Sequence, residues 1–249
     1  MKSRRVLLCL IPLLFAAPVL LAQAQGGTPA VSINFGGDGP ENVTNTIQVF
    51  LLLTVLSLAP SILIMVTSFT RIAIVFHFIR QALGTQNVPS NTVLSGLALI
   101  MTFYIMSPTF RQIKADAYEP MKRGEIGVEE AFDRASLPIK IFMLKHTREK
   151  DLSLFVHLSK LPKPATRAEV PLEVLVPAFI ISELKTAFEI GFLVFLPFLI
   201  VDLVVASILL AMGMMMLPPV MISMPFKILL FVMVDGWHLL VTSMVLSFA

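Results

Sequence analysis

The longest apolar stretch of this sequence covers residues 190–234 and reads IGFLVFLPFLIVDLVVASILLAMGMMMLPPVMISMPFKILLFVMV. It holds about 45 residues, of which only Asp202 and Lys227 carry a charge. A membrane-spanning helix needs about 20 apolar residues, so the stretch is long enough for two. The pair Pro218-Pro219 would interrupt a helix, and it divides the stretch. We therefore predict two membrane helices, over roughly 186–211 and 220–247, joined by a tight turn.

The composition of the whole chain is also that of a membrane protein. Of its 249 residues, 56% are hydrophobic and 14% are charged. An ordinary soluble domain has about 25% charged residues. The formal net charge of +3 comes from Lys2, Arg4 and Arg5, and the remaining charges balance, so a nucleic-acid partner is not indicated.

The first 24 residues have the three-part organisation of a secretory signal peptide. A basic start is followed by an apolar segment and then by the small-x-small site Ala22-Gln23-Ala24. Two prolines interrupt the apolar segment, which argues against a first membrane helix. We expect cleavage after Ala24, with Ala22 and Ala24 as the recognised residues, and this removes Cys9, the only cysteine.

The first half of the mature chain predicts one helical hairpin. Residues 25–46 are rich in glycine, proline and asparagine, and we expect a flexible periplasmic lead-in there. Residues 47–69 form an uncharged apolar segment of about 23 residues, enough for one tilted span. A second apolar segment at 93–106 reaches span length with its polar flanks, and Pro108 is expected to end it. The hairpin would occupy residues 47–110.

A charged block separates this hairpin from the second one. Residues 111–173 hold 22 of the chain's 35 formal charges. Apolar residues recur there at helical spacing and predict three short amphipathic helices. Their apolar faces are Val128, Ala131, Phe132 and Ala135, then Ile139, Phe142, Met143 and His146, then Leu152, Phe155 and Val156. We expect Ser136 and Pro138 to begin the second of these helices.

The predicted fold class is an all-α integral membrane protein. Two long helical hairpins, over 47–110 and 176–249, flank a small helical periplasmic domain over 111–175. Four spans with both ends outside follow from an exported N-terminus. In this arrangement residues 71–91 form an inner loop with two arginines and no acid, which agrees with the positive-inside rule.

Six ionisable residues lie in the apolar second half. They are Glu183, Lys185, Glu189, Asp202, Lys227 and Asp235. Each would cost about 2.5–3.5 kcal/mol at a helix centre facing lipid, so each should have a partner or a polar cavity. Lys185 and Glu189 are spaced to pair on one helix face, whereas Lys227 and Asp235 could each reach a neighbouring subunit. Two roles stay open: charges that hold helices together, which the alternation of acids and bases favours, or a proton or ion relay.

The turn at residues 212–219, MGMMMLPP, contains four methionines. They are Met212, Met214, Met215 and Met216. A methionine side chain is long and unbranched, and it adapts to surfaces of different shape. Several copies of this loop around an axis would form a soft seal against the varying side chains of an unfolded polypeptide. The alternative is a turn in which methionine is simply an apolar residue.

The chain contains none of the catalytic or metal-binding patterns that we considered. The four histidines have no ligand spacing, and there is no His-Glu-x-x-His pattern. A Gly-x-Ser-x-Gly pattern is also missing. We therefore expect no enzymatic activity, no cofactor and no metal site.

Two stretches of the second half resemble the signatures of a known family. They are residues 177–192, PAFIISELKTAFEIGF, and residues 225–237, PFKILLFVMVDGW. Both closely resemble signatures of the FliP family of type III export-gate membrane proteins. The likeness extends over essentially everything after the first 24 residues, including residues 68–71, the turn at 84–89 and the methionine loop.

The resemblance implies a non-enzymatic core subunit of the flagellar export gate in the bacterial inner membrane, at the flagellar basal body. Members of this family assemble as several copies, here a pentamer, with FliQ and FliR type subunits and other export-apparatus membrane proteins. The gate passes unfolded flagellar subunits across the membrane, and the methionine loop constricts its channel. The resemblance also implies hairpins raised toward the periplasm, where protein rather than lipid bilayer surrounds the buried charges.

Three alternatives remain at this stage. The equivalent subunit of a virulence injectisome shares both signatures, but it usually lacks a cleavable signal peptide, which favours the flagellar member. A small ion or solute transporter would work through the buried charges, although four spans are few and no broken helices recur in matching halves. A membrane enzyme would need a set of catalytic residues, and none is recognisable.

Overall fold

The protein is described here by a computed structural model that covers residues 40–85, 87–160, 164, 166–214 and 216–248. Within these ranges it consists of helices and connecting turns, without a β-strand. The helices are α1 (Pro40–Val66), α2 (Phe69–Ala82), α3 (Asn91–Lys122), α4 (Val128–His146), α5 (Glu149–Leu158), α6 (Leu172–Ala211), α7 (Pro219–Met233) and α8 (Gly236–Leu246). The predicted all-helical class is confirmed for this part of the chain. The expected signal peptide, with Ala22 and Ala24, lies outside it.

The chain divides into one unit of residues 1–57 and another of residues 58–249. In the first unit, residues 40–57 belong to α1, and apolar side chains such as Phe50 and Leu52 are exposed. The hydroxyl of Thr54 donates to the carbonyl of Phe50 at 2.8 Å, so this polar group is satisfied within its own helix. A helix with this surface suits an apolar environment.

Two of the described helices are long and apolar enough to cross a membrane. They are α3, with 32 residues, and α6, with 40 residues. The number rises to four if α1 counts as one span and the pair α7–α8, bent by 64°, counts as another. The four spans that the sequence predicts are the upper end of this range.

Helix α2 lies where the sequence predicted an inner loop, and that prediction was wrong for Phe69–Ala82. Its apolar residues recur at intervals of three and four and are buried: Ile72, Val75, Phe76 and Ile79. The helix packs closely on α6. The ring of Phe78 in α2 lies so near Gly191 in α6 that a Cβ on this glycine would be only 2.5 Å from it. The sequence prediction, which relied on continuous apolar runs, missed this helix because it is amphipathic.

Two prolines that were expected to mark helix ends lie inside helices, so both predictions were wrong. Pro108 is within α3, which continues through a π-helical turn at Lys114–Tyr118 to Lys122. The predicted end of the first hairpin at residue 110 therefore falls inside a helix. Pro138 is within α4, which joins the first two predicted amphipathic helices into one. A proline removes one backbone hydrogen bond, but buried residues on either side continue the packing.

The predicted helices of the second hairpin differ from the observed ones at two places. Helix α6 ends at Ala211 as predicted, but it begins at Leu172 rather than near residue 186. The predicted helix over 220–247 is two helices, because Asp235 has a left-handed backbone with φ 51°. The ring of Phe231 lies only 2.3 Å from where a Cβ on Gly236 would be, so this close contact requires glycine.

Two apolar clusters form the core of the second unit. The first joins α2, α3, α6, α7 and α8 around Phe76, Phe198 and Phe231. The second joins α4, α5 and α6 around Met143 and Phe179. Of the predicted apolar faces, Ala131, Met143 and Leu152 are buried, whereas Val128 and Phe132 are exposed. The charged block is therefore packed on α6 by only part of its apolar surface.

Candidate functional site

The methionine loop begins where α6 ends in a Schellman motif. Gly213 has φ 75°, and its N–H donates to the carbonyl of Leu210 at 3.0 Å. The N–H of Met214 donates to the carbonyl of Leu209 at 2.9 Å. This pair of hydrogen bonds caps the helix and needs a residue that tolerates a left-handed backbone. On the other side of the loop, Pro219 opens α7 at a position where its missing N–H costs no hydrogen bond.

The loop exposes its methionine side chains at the tip of the α6–α7 hairpin. Met212 is 62% exposed, Met214 40% and Met216 98%. Met215, the fourth predicted residue of this set, lies outside the described residues. Exposed and flexible thioethers at a hairpin tip have the properties that a deformable apolar contact requires.

The arms of this hairpin are joined by a partly buried ion pair. Lys227, which is 2% exposed, donates from Nζ to Asp202 Oδ2 at 2.6 Å. The hydroxyl of Ser223 donates to the other carboxylate oxygen of Asp202 at 2.5 Å. The sequence predicted that Lys227 could reach a neighbouring subunit, but the structure gives it a partner in its own chain. Both groups lie on helices that face each other, so the pairing satisfies each of them.

The other predicted charges of this half lie in two settings. Lys185 and Glu189 pair along α6 with Nζ and Oε1 3.6 Å apart, and both side chains are exposed. The pairing that their spacing predicted is confirmed. Asp235 is exposed between α7 and α8 and forms no ion pair with the residues that the structure describes.

Glu183 has a partner that the sequence reasoning missed. Arg71, in the first turn of α2, donates from Nε to Oε2 at 2.9 Å and from Nη2 to Oε1 at 2.5 Å. Both groups are buried, with side-chain exposures of 3% and 0%. Such a two-fold contact is the geometry in which a guanidinium binds a carboxylate most strongly. The available indication was the surplus of acids in the second half, which two lysines cannot balance.

The C-terminus and α4 surround this ion pair. Arg71 Nη1 donates to both the carbonyl and the hydroxyl of Ser247, each at 3.0 Å. The Phe248 ring lies 3.8 Å from the guanidinium carbon and 5.1 Å, centre to centre, from the ring of His146. Burial, together with the positive charges of Arg71 and Lys145, lowers the pKa of His146 from 6.5 to about 4.

Ser182, next to Glu183, ties α6 to the turn between α4 and α5. Its hydroxyl donates to Asp151 Oδ2 at 2.6 Å and accepts from the backbone N–H of Arg148 at 3.1 Å. Burial raises the pKa of Asp151, but the hydrogen bonds from Ser182 and Arg148 and the nearby charges of Arg148 and Lys185 outweigh it. The pKa therefore lies below its usual range, and this carboxylate remains ionised.

The arrangement is a set of separate, mutually satisfied charge pairs. Each of the three basic groups at these sites, Arg71, Lys185 and Lys227, binds an acid of the same chain. In the part of the chain that the structure describes, no cluster of three or more His, Cys, Asp or Glu residues could hold a metal ion. The pairs Arg71–Glu183 and Lys227–Asp202 each join two helices, which fits the role of charges that hold helices together, whereas Lys185–Glu189 lies within α6.

The sequence pattern that defines the FliP family matches residues 52–244. The chain belongs to the FliP family. The matched region contains both signature stretches, the methionine loop between them and all three ion pairs. The resemblance that the two signatures indicated is thus confirmed.

Similar FliP proteins occur in several bacteria. The flagellar biosynthetic protein FliP of Bacillus subtilis is 58% identical over 214 residues, which is 86% of this chain and 97% of the relative. The protein of the same name from Pectobacterium carotovorum is 50% identical over 96% of this chain and 91% of its own length. That of Aquifex aeolicus is 52% identical, covering 84% of this chain and 89% of the relative.

Proposed function

We propose that this chain is a non-enzymatic core subunit of the flagellar type III protein export gate. Its relatives are named flagellar biosynthetic proteins, and they align with most of its length. Its apolar helices are long enough to place it in a membrane, and we assign it to the inner membrane at the flagellar basal body. Other export-apparatus membrane proteins and the lipid bilayer are then its surroundings.

The gate subunit acts by lining a channel for unfolded flagellar subunits. The observation that carries this step is the exposed methionines at the tip of the α6–α7 hairpin. With further copies of the chain, as a pentamer, and with FliQ and FliR type subunits, these tips converge on one axis. Met212, Met214, Met215 and Met216 then form the constriction, because flexible thioethers can close around side chains of different sizes.

The buried charges act in assembly in this proposal. A relay needs titratable groups that exchange protons, whereas the buried bases Arg71 and Lys227 are each held by an acid of another helix. Asp235 is the member of the set that forms no ion pair with the described residues, and it stands beside the break between α7 and α8. We assign its carboxylate to a contact with a neighbouring subunit.

The proposed topology keeps the charged block on the periplasmic side. Residues 1–24 are a cleaved signal peptide. The periplasmic lead-in is limited to 25–39, because residues 40–46, which the sequence assigned to it, belong to α1. The first hairpin runs from α1 to the end of α3 at Lys122, the helical periplasmic domain contains α4 and α5, and the second hairpin begins with α6 at Leu172. The concentration of charge in 111–173 does not contradict this arrangement, because long segments are translocated largely regardless of their charge.

A clean deletion in the source bacterium tests the proposal directly. We expect non-motile cells that no longer secrete hook protein, and both properties should return when the intact chain is supplied from a plasmid. An injectisome subunit would instead leave motility intact and abolish secretion of virulence proteins. A small-solute transporter would leave both forms of secretion intact.

A further inference from the structure

The last two described residues, Ser247 and Phe248, close over the ion pair between Arg71 and Glu183. Ser247 supplies two oxygen atoms to Arg71 Nη1, its carbonyl and its hydroxyl, each 3.0 Å away. The Phe248 ring covers the guanidinium at 3.8 Å and is itself buried. Arg71 thus divides its contacts between Glu183 and the end of the chain.

Phe248 is held from its other side by α4. Its ring stacks on that of Phe142, with centres 6.1 Å apart and planes inclined by 15°. The ring of His146 meets it edge-on at 5.1 Å. Phe248 is therefore placed between a cation on α2 and two aromatic rings on α4.

We propose that Ser247 and Phe248 form a strap that positions Arg71 for Glu183 and keeps water from the ion pair. A buried guanidinium needs an acceptor for each of its N–H groups, and Glu183 serves only Nε and Nη2. Ser247 serves Nη1, and the aromatic face of Phe248 supplies a favourable surface for the cation. Through Arg71 and Phe142 the strap links the C-terminus to α2, α4 and α6. This inference does not depend on the export role of the protein.

The strap makes a different prediction from simple apolar packing at the same position. Leucine at position 248 would retain an apolar side chain of similar size but would lose the aromatic face. Tyrosine would retain both. If the strap acts through Arg71, Phe248→Leu should therefore open it and Phe248→Tyr should not.

Opening of the strap can be measured as increased chemical reactivity of His146, which the strap partly covers. The purified complex in detergent is treated with diethyl pyrocarbonate, and modification of each histidine is followed by peptide mass spectrometry. His157, an exposed histidine of α5, is the internal reference. We expect His146 to react several-fold to about tenfold faster in Phe248→Leu, because the cation–π contact is lost. Phe248→Tyr should react like the wild type.

A second variant covers the case in which Phe248→Leu cannot be purified. Arg71→Lys keeps the positive charge but removes the group that binds Ser247, so His146 should again become more reactive. Equal reactivity of His146 in the wild type and in either variant would overturn the proposal. So would an identical rise in Phe248→Leu and Phe248→Tyr, since that would reflect packing alone.

Discussion

At the scale of single residues, Arg71 supplies the partner of the buried acid of the second half, Glu183. The six ionisable residues there include four acids and only two bases. The two lysines pair with Glu189 and Asp202, which leaves Glu183 without a base from its own half. Arg71 supplies that base from a position 112 residues earlier in the chain. A buried carboxylate is stable in such a place only because the guanidinium binds both of its oxygens.

We predict that Lys227→Ala impairs recovery of the intact complex. The substitution leaves Asp202 facing α7 without its cation, and breaking a buried pair in this way costs about 3–5 kcal/mol. Asp235→Ala should also reduce recovery, because its exposed carboxylate is assigned to a contact between subunits. Yield of the complex after affinity purification and native electrophoresis measures both effects.

Lys185→Ala is the matched control, since the exposed pair with Glu189 contributes at most about 1 kcal/mol. Its yield should be close to that of the wild type. Normal recovery of the Lys227→Ala and Asp235→Ala complexes, combined with abolished transport, would contradict the assembly role and favour a proton relay.

The lowered pKa of His146 predicts that the folded protein loses stability on mild acidification. Its pKa is about 4 in the folded chain and about 6.5 in the unfolded chain, so the unfolded state binds more protons between these values. Stability is therefore complete above pH 6.5 and falls as the pH drops toward 4. Because water partly screens this side chain, we expect a loss of about 1–2 kcal/mol.

Thermal unfolding of the purified protein at several pH values, from just above about 4 to above 6.5, checks this expectation. His146→Gln removes the titrating group and should flatten the profile. His157→Gln, which changes an exposed histidine of α5, should retain the slope. An unchanged slope in His146→Gln would assign the pH dependence to other groups.

At the scale of elements, the methionine loop depends on how α6 ends. We predict that Gly213→Ala destabilises the protein by about 1 kcal/mol, because alanine tolerates the left-handed backbone poorly. A new Cβ there would meet no atom within 4 Å, so steric clash contributes nothing. Gly96→Ala is the control, since Gly96 also has open space but an ordinary helical backbone within α3. Equal thermal shifts for the two variants would contradict the role of the cap.

If the methionine loop acts as a seal, shortening its side chains should let ions leak through the complex. Replacing Met214, Met215 and Met216 by alanine removes three flexible side chains from every copy around the axis. We expect normal yield of the complex, raised ion conductance in planar bilayers and poor growth on overexpression. If these residues only filled space between helices, the main result would be lost stability, at roughly 2–5 kcal/mol for each buried methionine.

Met221 and Met233 provide the control for this experiment. Both are exposed methionines of α7 outside the loop. Their replacement by alanine removes the same chemical groups and should not open a conducting path. Full yield of the loop variant without extra conductance would remove the sealing role.

At the scale of the whole molecule, the chain presents much apolar surface. Large apolar side chains are exposed on α1, α6, α7 and α8, including Phe50, Phe192, Phe226 and Leu246. A soluble monomer rarely carries such extensive apolar patches. Lipid or other subunits must cover them in the cell, which agrees with the proposed place of the chain in a membrane assembly.

Export of the N-terminus is the prediction that belongs to this scale. We expect cleavage after Ala24, because Ala22 and Ala24 occupy both small-residue positions of the site. N-terminal sequencing of the purified protein should therefore begin at Gln25. Ala24→Lys should block cleavage and leave a longer chain on a denaturing gel, whereas Gln25→Asn should be processed normally. Recovery of Met1 or Lys2 in the wild type would require an additional span.

The sequence by itself determined the helical membrane class, the end of α6 at Ala211 and the interruption at the prolines that follow. These features depend on local properties, namely the length of apolar runs and the backbone restrictions of proline and glycine. The pairing of Lys185 with Glu189 was predictable for the same reason, since the two residues lie about one turn apart on the same helix. The family followed from two contiguous signatures, for which no spatial information is needed.

Only the tertiary structure decided which charges pair across the fold and where helices continue through proline. Arg71 meets Glu183, and Lys227 meets Asp202, because packing brings distant segments together, and spacing along the chain does not encode such contacts. Helix α2 exists because one amphipathic face is buried against α6, a contribution that a search for continuous apolar runs omits. Helices α3 and α4 pass through Pro108 and Pro138 because the buried residues around each proline offset one lost hydrogen bond.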